Sequence, residues 1–147
     1  MKIGETMVWD DADNYCFGCS PHNEQGLQLR CTRTGERSVE LRFTAPPHLA
    51  GPPGVVHGGI QATLLDEALG MAARVGCVGD GGVRLMTVDF QLRYRRPAPL
   101  GESLVIRGEL VRSEGRDLHL EGRIESAEGE LLTLATARWV RMPPTVV

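Results

Sequence analysis

The chain has 147 residues and a mass of 16.0 kDa, with 41% hydrophobic residues, 24% charged residues and a formal charge of −3. A chain of this size can bury roughly two-thirds of its extended surface in one core, and the balance excludes a disordered polypeptide. Without a broad basic face it does not read as a nucleic-acid binder, and no apolar run approaches the roughly 18 residues of a membrane span.

Residues 1–26 show little periodicity and many turn formers, and are expected to wrap over the core of a single domain covering residues 1–147. The opening stretch from Met1 to Met7 is too short and polar for a secretory leader. A cytoplasmic setting is therefore expected, with Cys16, Cys19, Cys31 and Cys77 as reduced thiols. Residues 27–33 and 38–43 read as strands around a Gly35 turn; Val39, Leu41 and Phe43 alternate with Ser38, Glu40 and Arg42, the period of a sheet with one buried face. Pro46, Pro47, Pro52 and Pro53 exclude regular structure over residues 46–56.

A helix is predicted from about Gly58 to Val75. Apolar side chains occupy most of its circumference, so it should be enclosed on several sides. The glycine-rich tract 76–82 ends it. Residues 83–95 read as a strand with Met86, Val88, Phe90, Leu92 and Tyr94 on one face and Thr87, Asp89, Gln91, Arg93 and Arg95 on the other. Further strands are predicted at 103–112, 117–126 and 130–141. Two strands, one central helix and four strands define an α+β fold: a curved, mainly antiparallel sheet of about six strands around a long helix.

The most informative residues stand where the helix starts. Gly58 and Gly59 allow close approach of a ligand to the backbone, and the first-turn N–H groups lack intrahelical acceptors. Such donors, aided by the helix dipole, could hold an oxyanion; the plainer alternative is a tight loop-to-helix junction without chemistry. Neither spacing of a nucleotide phosphate loop is present. Asp66 lies in the least polar stretch of the chain, where a charge is costly unless partnered. It could activate water or act as a nucleophile, or serve as a structural ion pair. Gly59 and Asp66 are separated by about 10 Å along one helix. If both are catalytic, a second chain must bring its Asp66 opposite this glycine, giving a composite site in a two-fold dimer. Glu67, turned about 100° away, is expected to be structural or at the surface.

Gly54-Val55-Val56-His57-Gly58-Gly59, followed by Asp66, resembles the hot-dog thioesterase superfamily, with its closest flavour in the phenylacetate-pathway (PaaI-like) and THEM-like groups. The stretches Asn14–Asn23, Gly26–Leu29, Thr87–Phe90 and Tyr94–Pro97 extend the likeness over nearly the whole chain. The resemblance implies a hot-dog fold and hydrolysis of acyl-coenzyme A or acyl-carrier-protein thioesters, by a homodimer at minimum and a homotetramer as the larger option. It implies that Gly58 or Gly59 polarises the carbonyl, that Asp66 activates water or attacks, that Thr87 helps hold water, and that His57 shapes the turn or contacts substrate. It implies no metal or organic cofactor. Many relatives carry Asn six residues before the motif His, where this chain has Gly51.

Other groups carry weaker signals. Cys16-x-x-Cys19 with His22 and Cys31 admits zinc binding, thiol redox chemistry or packing, with packing or pocket lining favoured. Arg93, Arg95 and Arg96 could hold coenzyme A phosphates or pair with Glu102 or Glu109. His22, His48 and His119 read as surface or structural residues, and no Gly-x-Ser-x-Gly elbow is present. The expected activity is acyl-CoA hydrolysis; the alternatives are a non-catalytic acyl-CoA-binding or regulatory protein and, further off, a hydratase.

Overall fold

The computed structural model describes residues 1–77 and 84–143. Its strands are β1 (Thr6–Met7), β2 (Cys31–Arg33), β3 (Ser38–Thr44), β4 (Arg84–Tyr94), β5 (Ser103–Glu114), β6 (Asp117–Ser126) and β7 (Leu131–Met142); the long helix α1 (Gly58–Gly76) lies between β3 and β4 in the chain. The strands form one antiparallel sheet in the order β1-β2-β3-β5-β6-β7-β4. This is the expected helix-and-sheet architecture with one strand more than anticipated. The additional strand comes from the N-terminal segment, where Thr6 and Met7 pair with Thr32 and Cys31.

The boundaries follow from local chemistry. The strand expected at 27–33 begins only at Cys31, because Gln28 adopts a left-handed φ of 50°. On either side of it, Leu27 and Leu29 donate their N–H groups to Phe17 and Gly18 carbonyls instead of to a neighbouring strand. The helix begins where its prediction places it and runs one residue beyond Val75, with Cys77 as its C-cap; residues 78–82 of the expected terminating tract lie outside the described residues, as does residue 83 of the following strand.

The core forms between α1 and one face of the sheet. Leu64, Leu65, Ala68, Leu69 and Ala72 from the helix are fully buried against Val39, Leu41, Leu104, Ile106, Leu110, Leu120 and Ile124 from β3, β5 and β6. Full burial of a Leu-sized side chain contributes about 1.5–3 kcal/mol, so this interface fixes the helix firmly. The approach is close: a Cβ on Gly108 of β5 would sit 2.6 Å from the Ala68 carbonyl oxygen.

One expectation about β4 is overturned. Its register against β7 slips between Thr87 and Asp89, which pair with the adjacent residues Trp139 and Arg138. Val88 is the extra residue of a β-bulge. A strict period of two would place Thr87 opposite to Phe90 and Leu92. With the bulge, Thr87 is partly buried along with Leu85, Phe90 and Leu92, while Met86 and Val88 are 48% and 44% exposed. Among the described residues β4 pairs with β7 alone and is therefore a sheet edge.

Candidate active site at the helix start and Asp66

His57 is the N-cap of α1, with φ −52° and ψ 135°, and its Nδ1 accepts the Gly59 N–H at 2.9 Å. This is the side-chain cap that an exposed helix start requires. It decides between the two glycines. Gly59 N–H is committed to the imidazole, and the Ile60 and Gln61 N–H groups both go to the His57 carbonyl. Gly58 N–H has no acceptor among the described residues, so it is the first-turn donor left for a ligand. Tyr94 Oη donates to the Gly58 carbonyl at 2.8 Å and ties this turn to the end of β4.

Two buried groups that sequence reasoning missed hold the helix start from beneath. Gln61 Nε2 donates to the Val56 carbonyl at 2.9 Å, and Thr133 Oγ1 donates to Gln61 Oε1 at 2.6 Å. The available signal was a glutamine one turn into an otherwise apolar helix, where a buried amide needs partners. Gly51, at the position where many relatives have Asn, donates its N–H to the Val55 carbonyl and packs against the His57 backbone.

Asp66 stands two turns further along, partly buried, and Thr87 Oγ1 donates to its Oδ1 at 2.9 Å. Burial raises the Asp66 pKa above the ordinary carboxylate value, and the Thr87 hydrogen bond opposes that shift. On one helix, Gly58 N–H and Asp66 lie about 12 Å apart along the axis. The structure thus brings Thr87 to Asp66 and His57 to the glycines, but does not bring the two halves together within one chain.

Glu67 is not at the surface. It is partly buried, and Cys16 Sγ donates to its Oε1 at 3.4 Å. Burial raises its pKa, while the Cys16 hydrogen bond opposes the shift. The Cys19 thiol is pushed up to about 12 by burial and then by the nearby Glu67 carboxylate. A cavity of about 300 Å³ opens here between α1 and the N-terminal segment, lined by Asp66, Glu67, Cys16, Cys19, Met71 and Trp139, among others. The N-terminal segment closes it further through Trp9, whose Nε1–H donates to Met71 Sδ and whose ring lies under Arg74.

The four-residue metal set weighed from the sequence is not assembled. His22 Nε2 contacts the Asp10 carbonyl, and Cys31 is buried in β2 outside the group formed by Cys16, Cys19 and Glu67. Of the three arginines, Arg96 pairs with Glu130 at 2.8 Å, and not with Glu102 or Glu109. Arg95 and Arg96 line a shallow depression of about 490 Å³ shared with Gly58, Gln61 and Tyr94. Arg93 is exposed on β4.

Residues 53–133, more than half the chain, match the thioesterase superfamily (4HBT). The chain belongs to that superfamily, and its helix-on-sheet architecture is the hot-dog fold of such proteins. It is 36% identical over 110 residues to "Acyl-coenzyme A thioesterase THEM4" of Xenopus laevis, covering 74% of this chain and 47% of that protein; the chain thus spans about half the length of this relative. A crystal structure of a thioesterase superfamily protein superposes with a TM-score of 0.77 at 33% identity, over 86% of this chain and 60% of the other. The hypothetical thioesterase of Streptococcus pneumoniae TIGR4, crystallised with coenzyme A, shares the fold with a TM-score of 0.69 at 20% identity, over 78% of this chain and 85% of the other. Among the described residues no helix is long and apolar enough to cross a membrane.

Proposed function

We propose that this protein hydrolyses an acyl-CoA thioester to a carboxylic acid and free coenzyme A, at a site shared by two protomers. The observation that carries this reading is the pairing of an uncommitted Gly58 N–H at a helix start with a partly buried, Thr87-bonded Asp66 on the same helix. The first can stabilise a developing oxyanion and the second can act on water. The relative named an acyl-coenzyme A thioesterase and the fold neighbour crystallised with coenzyme A support the choice of thioester.

The thioester carbonyl oxygen accepts the Gly58 N–H, with the positive end of the α1 dipole behind it. Asp66 of the facing protomer takes a proton from water as the water oxygen attacks the carbonyl carbon; the C–S bond then breaks and the coenzyme A thiolate is protonated. A direct carboxylate attack uses the same residues. Thr87 holds the Asp66 carboxylate in place, His57 holds Gly59 and so sets the turn, and Arg93, Arg95 and Arg96 offer cations to the coenzyme A phosphates near the exit of β4.

The second protomer is supplied by the edge of the sheet. β4 is an eleven-residue edge strand carrying exposed Met86, Val88 and Tyr94 beside Asp89 and Arg93, and the free row of backbone N–H and C=O groups of an edge can pair with another chain. The composite site requires that the two-fold operation across this edge lay the two α1 helices antiparallel, with Gly58 of one opposite Asp66 of the other. A homodimer is the minimal unit, with a tetramer made of two such dimers compatible, and the setting is cytoplasmic.

The decisive assay is release of free thiol from short, medium, long and aromatic acyl-CoAs, with Asp66→Asn measured alongside. Turnover by the wild type and its loss in the variant are expected. Tight binding of acyl-CoA without thiol release would instead establish the non-catalytic binding alternative, and loss of an enoyl chromophore with the thioester intact would establish a hydratase.

A further inference from the structure

Cys16 Sγ, Cys19 Sγ and a Glu67 carboxylate oxygen all lie within 4.8 Å of one another. The loop that carries the two thiols is held from several directions. Cys16 N–H donates to Asn14 Oδ1 at 3.1 Å, Ser20 N–H to the Cys16 carbonyl at 3.1 Å, and Ser20 Oγ to the Asn14 carbonyl at 2.6 Å. The Phe17 and Gly18 carbonyls accept from Leu27 and Leu29. Gly18, between the cysteines, lies directly on the Glu67 side chain, where a Cβ would meet the carboxylate carbon at 2.3 Å. The loop and the helix are thus fitted to each other around three ligating groups.

We propose that Cys16, Cys19 and Glu67 bind a zinc-class divalent cation that ties the N-terminal segment to α1 beside Asp66. The donor set selects the metal: two thiolates and one carboxylate suit a borderline-soft, tetrahedral ion and not magnesium or calcium, which take oxygen ligands. At usual zinc distances, ligand atoms of a tetrahedral site sit about 3.4–3.8 Å apart. The Cys16 Sγ to Glu67 Oε1 separation is already 3.4 Å. The adjoining cavity of about 300 Å³ leaves room for water in the fourth position. On binding, the two thiols release their protons to solvent and the thiolate sulfurs take the metal.

This site involves none of the residues assigned to hydrolysis, so it stands or falls separately from the proposed activity. Full-length, untagged protein kept reduced with a thiol-free reductant is titrated with cobalt(II) and then zinc(II). One cobalt per chain is expected, with a near-ultraviolet thiolate-to-cobalt band that zinc abolishes. Cys16→Ser and Cys19→Ser should each lose the band, and Glu67→Gln should weaken cobalt binding by at least about tenfold, the lower end of what altered metal surroundings cost. Asp66→Asn should keep it. Absence of a thiolate band in the wild type, with both thiols free to react with a thiol reagent, would reduce the cluster to hydrogen-bonded thiols and overturn the proposal. So would a band that persists in Cys16→Ser or Cys19→Ser, or cobalt affinity unchanged in Glu67→Gln. Glu67→Gln is nearly isosteric, which keeps the test available if a cysteine variant fails to fold.

Discussion

Thr87 Oγ1 reaches Asp66 Oδ1 at 2.9 Å only because the β4 register slips at Val88. The slip turns the hydroxyl towards the helix while Phe90 and Leu92 keep the same inward direction. A backbone irregularity thereby aims a polar side chain at a carboxylate that would otherwise be desolvated and unpartnered.

Replacing Thr87 by Val should shift the acid limb of kcat/KM to higher pH. The hydroxyl donates to the ionised carboxylate and lowers a pKa that burial has raised. Without it the raising cause acts alone, and more alkaline conditions are needed to ionise Asp66. Thr87→Ser should restore the wild-type profile. Asp66→Asn should lower kcat by about 10²–10⁴, the usual contribution of a positioned acid–base group, with circular dichroism unchanged. An unmoved acid limb in Thr87→Val would detach Thr87 from the reaction.

The same burial has a consequence for stability. Asp66 and Glu67 both have folded pKa values raised above their ordinary values of 3.8 and 4.5. Between the ordinary and the raised values the folded protein binds more protons than the unfolded chain, so stability falls as pH rises through that window. Above it, two desolvated carboxylates are carried at a net cost. Asp66→Asn and Glu67→Gln should therefore raise the metal-free Tm at neutral pH, and the gain should shrink as the pH is lowered towards the ordinary carboxylate range. A gain independent of pH would point to packing instead of ionisation.

Gly58 permits a test confined to one hydrogen atom. It is the first helical residue, where proline is well tolerated, and His57 already has the extended ψ of 135° that a following proline requires. Gly58→Pro deletes the N–H and should cost about 10²–10³ in kcat, as loss of an oxyanion donor does. Gly58→Ala keeps the N–H and adds a Cβ 3.3 Å from Tyr94 Oη; it serves as the steric control and should lose much less. Mixing Gly58→Pro chains with Asp66→Asn chains then reads the site's composition. Random re-pairing makes half the dimers mixed, each with one intact composite site, so about a quarter of wild-type activity should return. No recovery after verified subunit exchange would place the site within single chains.

The parts of this molecule that were legible in the sequence are those governed by period and punctuation. The helix at Gly58–Gly76 and the strands β3, β5, β6 and β7 follow from apolar spacing bounded by Gly and Pro. What escaped has a physical reason in each case. Gln28 leaves the β-region because Leu27 and Leu29 find acceptors in the loop at Phe17 and Gly18, a tertiary pairing no local pattern records. The bulge at Val88 inverts the phase of β4 midway, and alternation of apolar residues does not mark where one extra residue interrupts it. Glu67 was expected to be structural or at the surface; the structural alternative holds, but its partner, the Cys16 thiol, comes from 51 residues away and no local pattern records it. The glycines marked the helix start, but which amide stays available depends on His57 folding back onto Gly59.

Gln61 should prove as important to the site as the groups that touch substrate. Its amide is 3% exposed and bridges the Val56 carbonyl, just before the helix, to Thr133 on β7. Gln61→Leu has similar reach but strands both partners in the core, and an unsatisfied buried polar group costs about 1–3 kcal/mol. The expected loss of stability is thus about 2 kcal/mol or more, measurable by denaturant midpoint. Gln61→Leu with Thr133→Val removes the stranded hydroxyl along with its partner and should recover part of that loss. Activity should not recover in parallel, because the Val56–His57 backbone that sets the Gly58 turn would still lack its amide anchor. Full recovery of both quantities in the double variant would show that this hydrogen-bonded bridge supports the core alone and leaves the helix start indifferent to it.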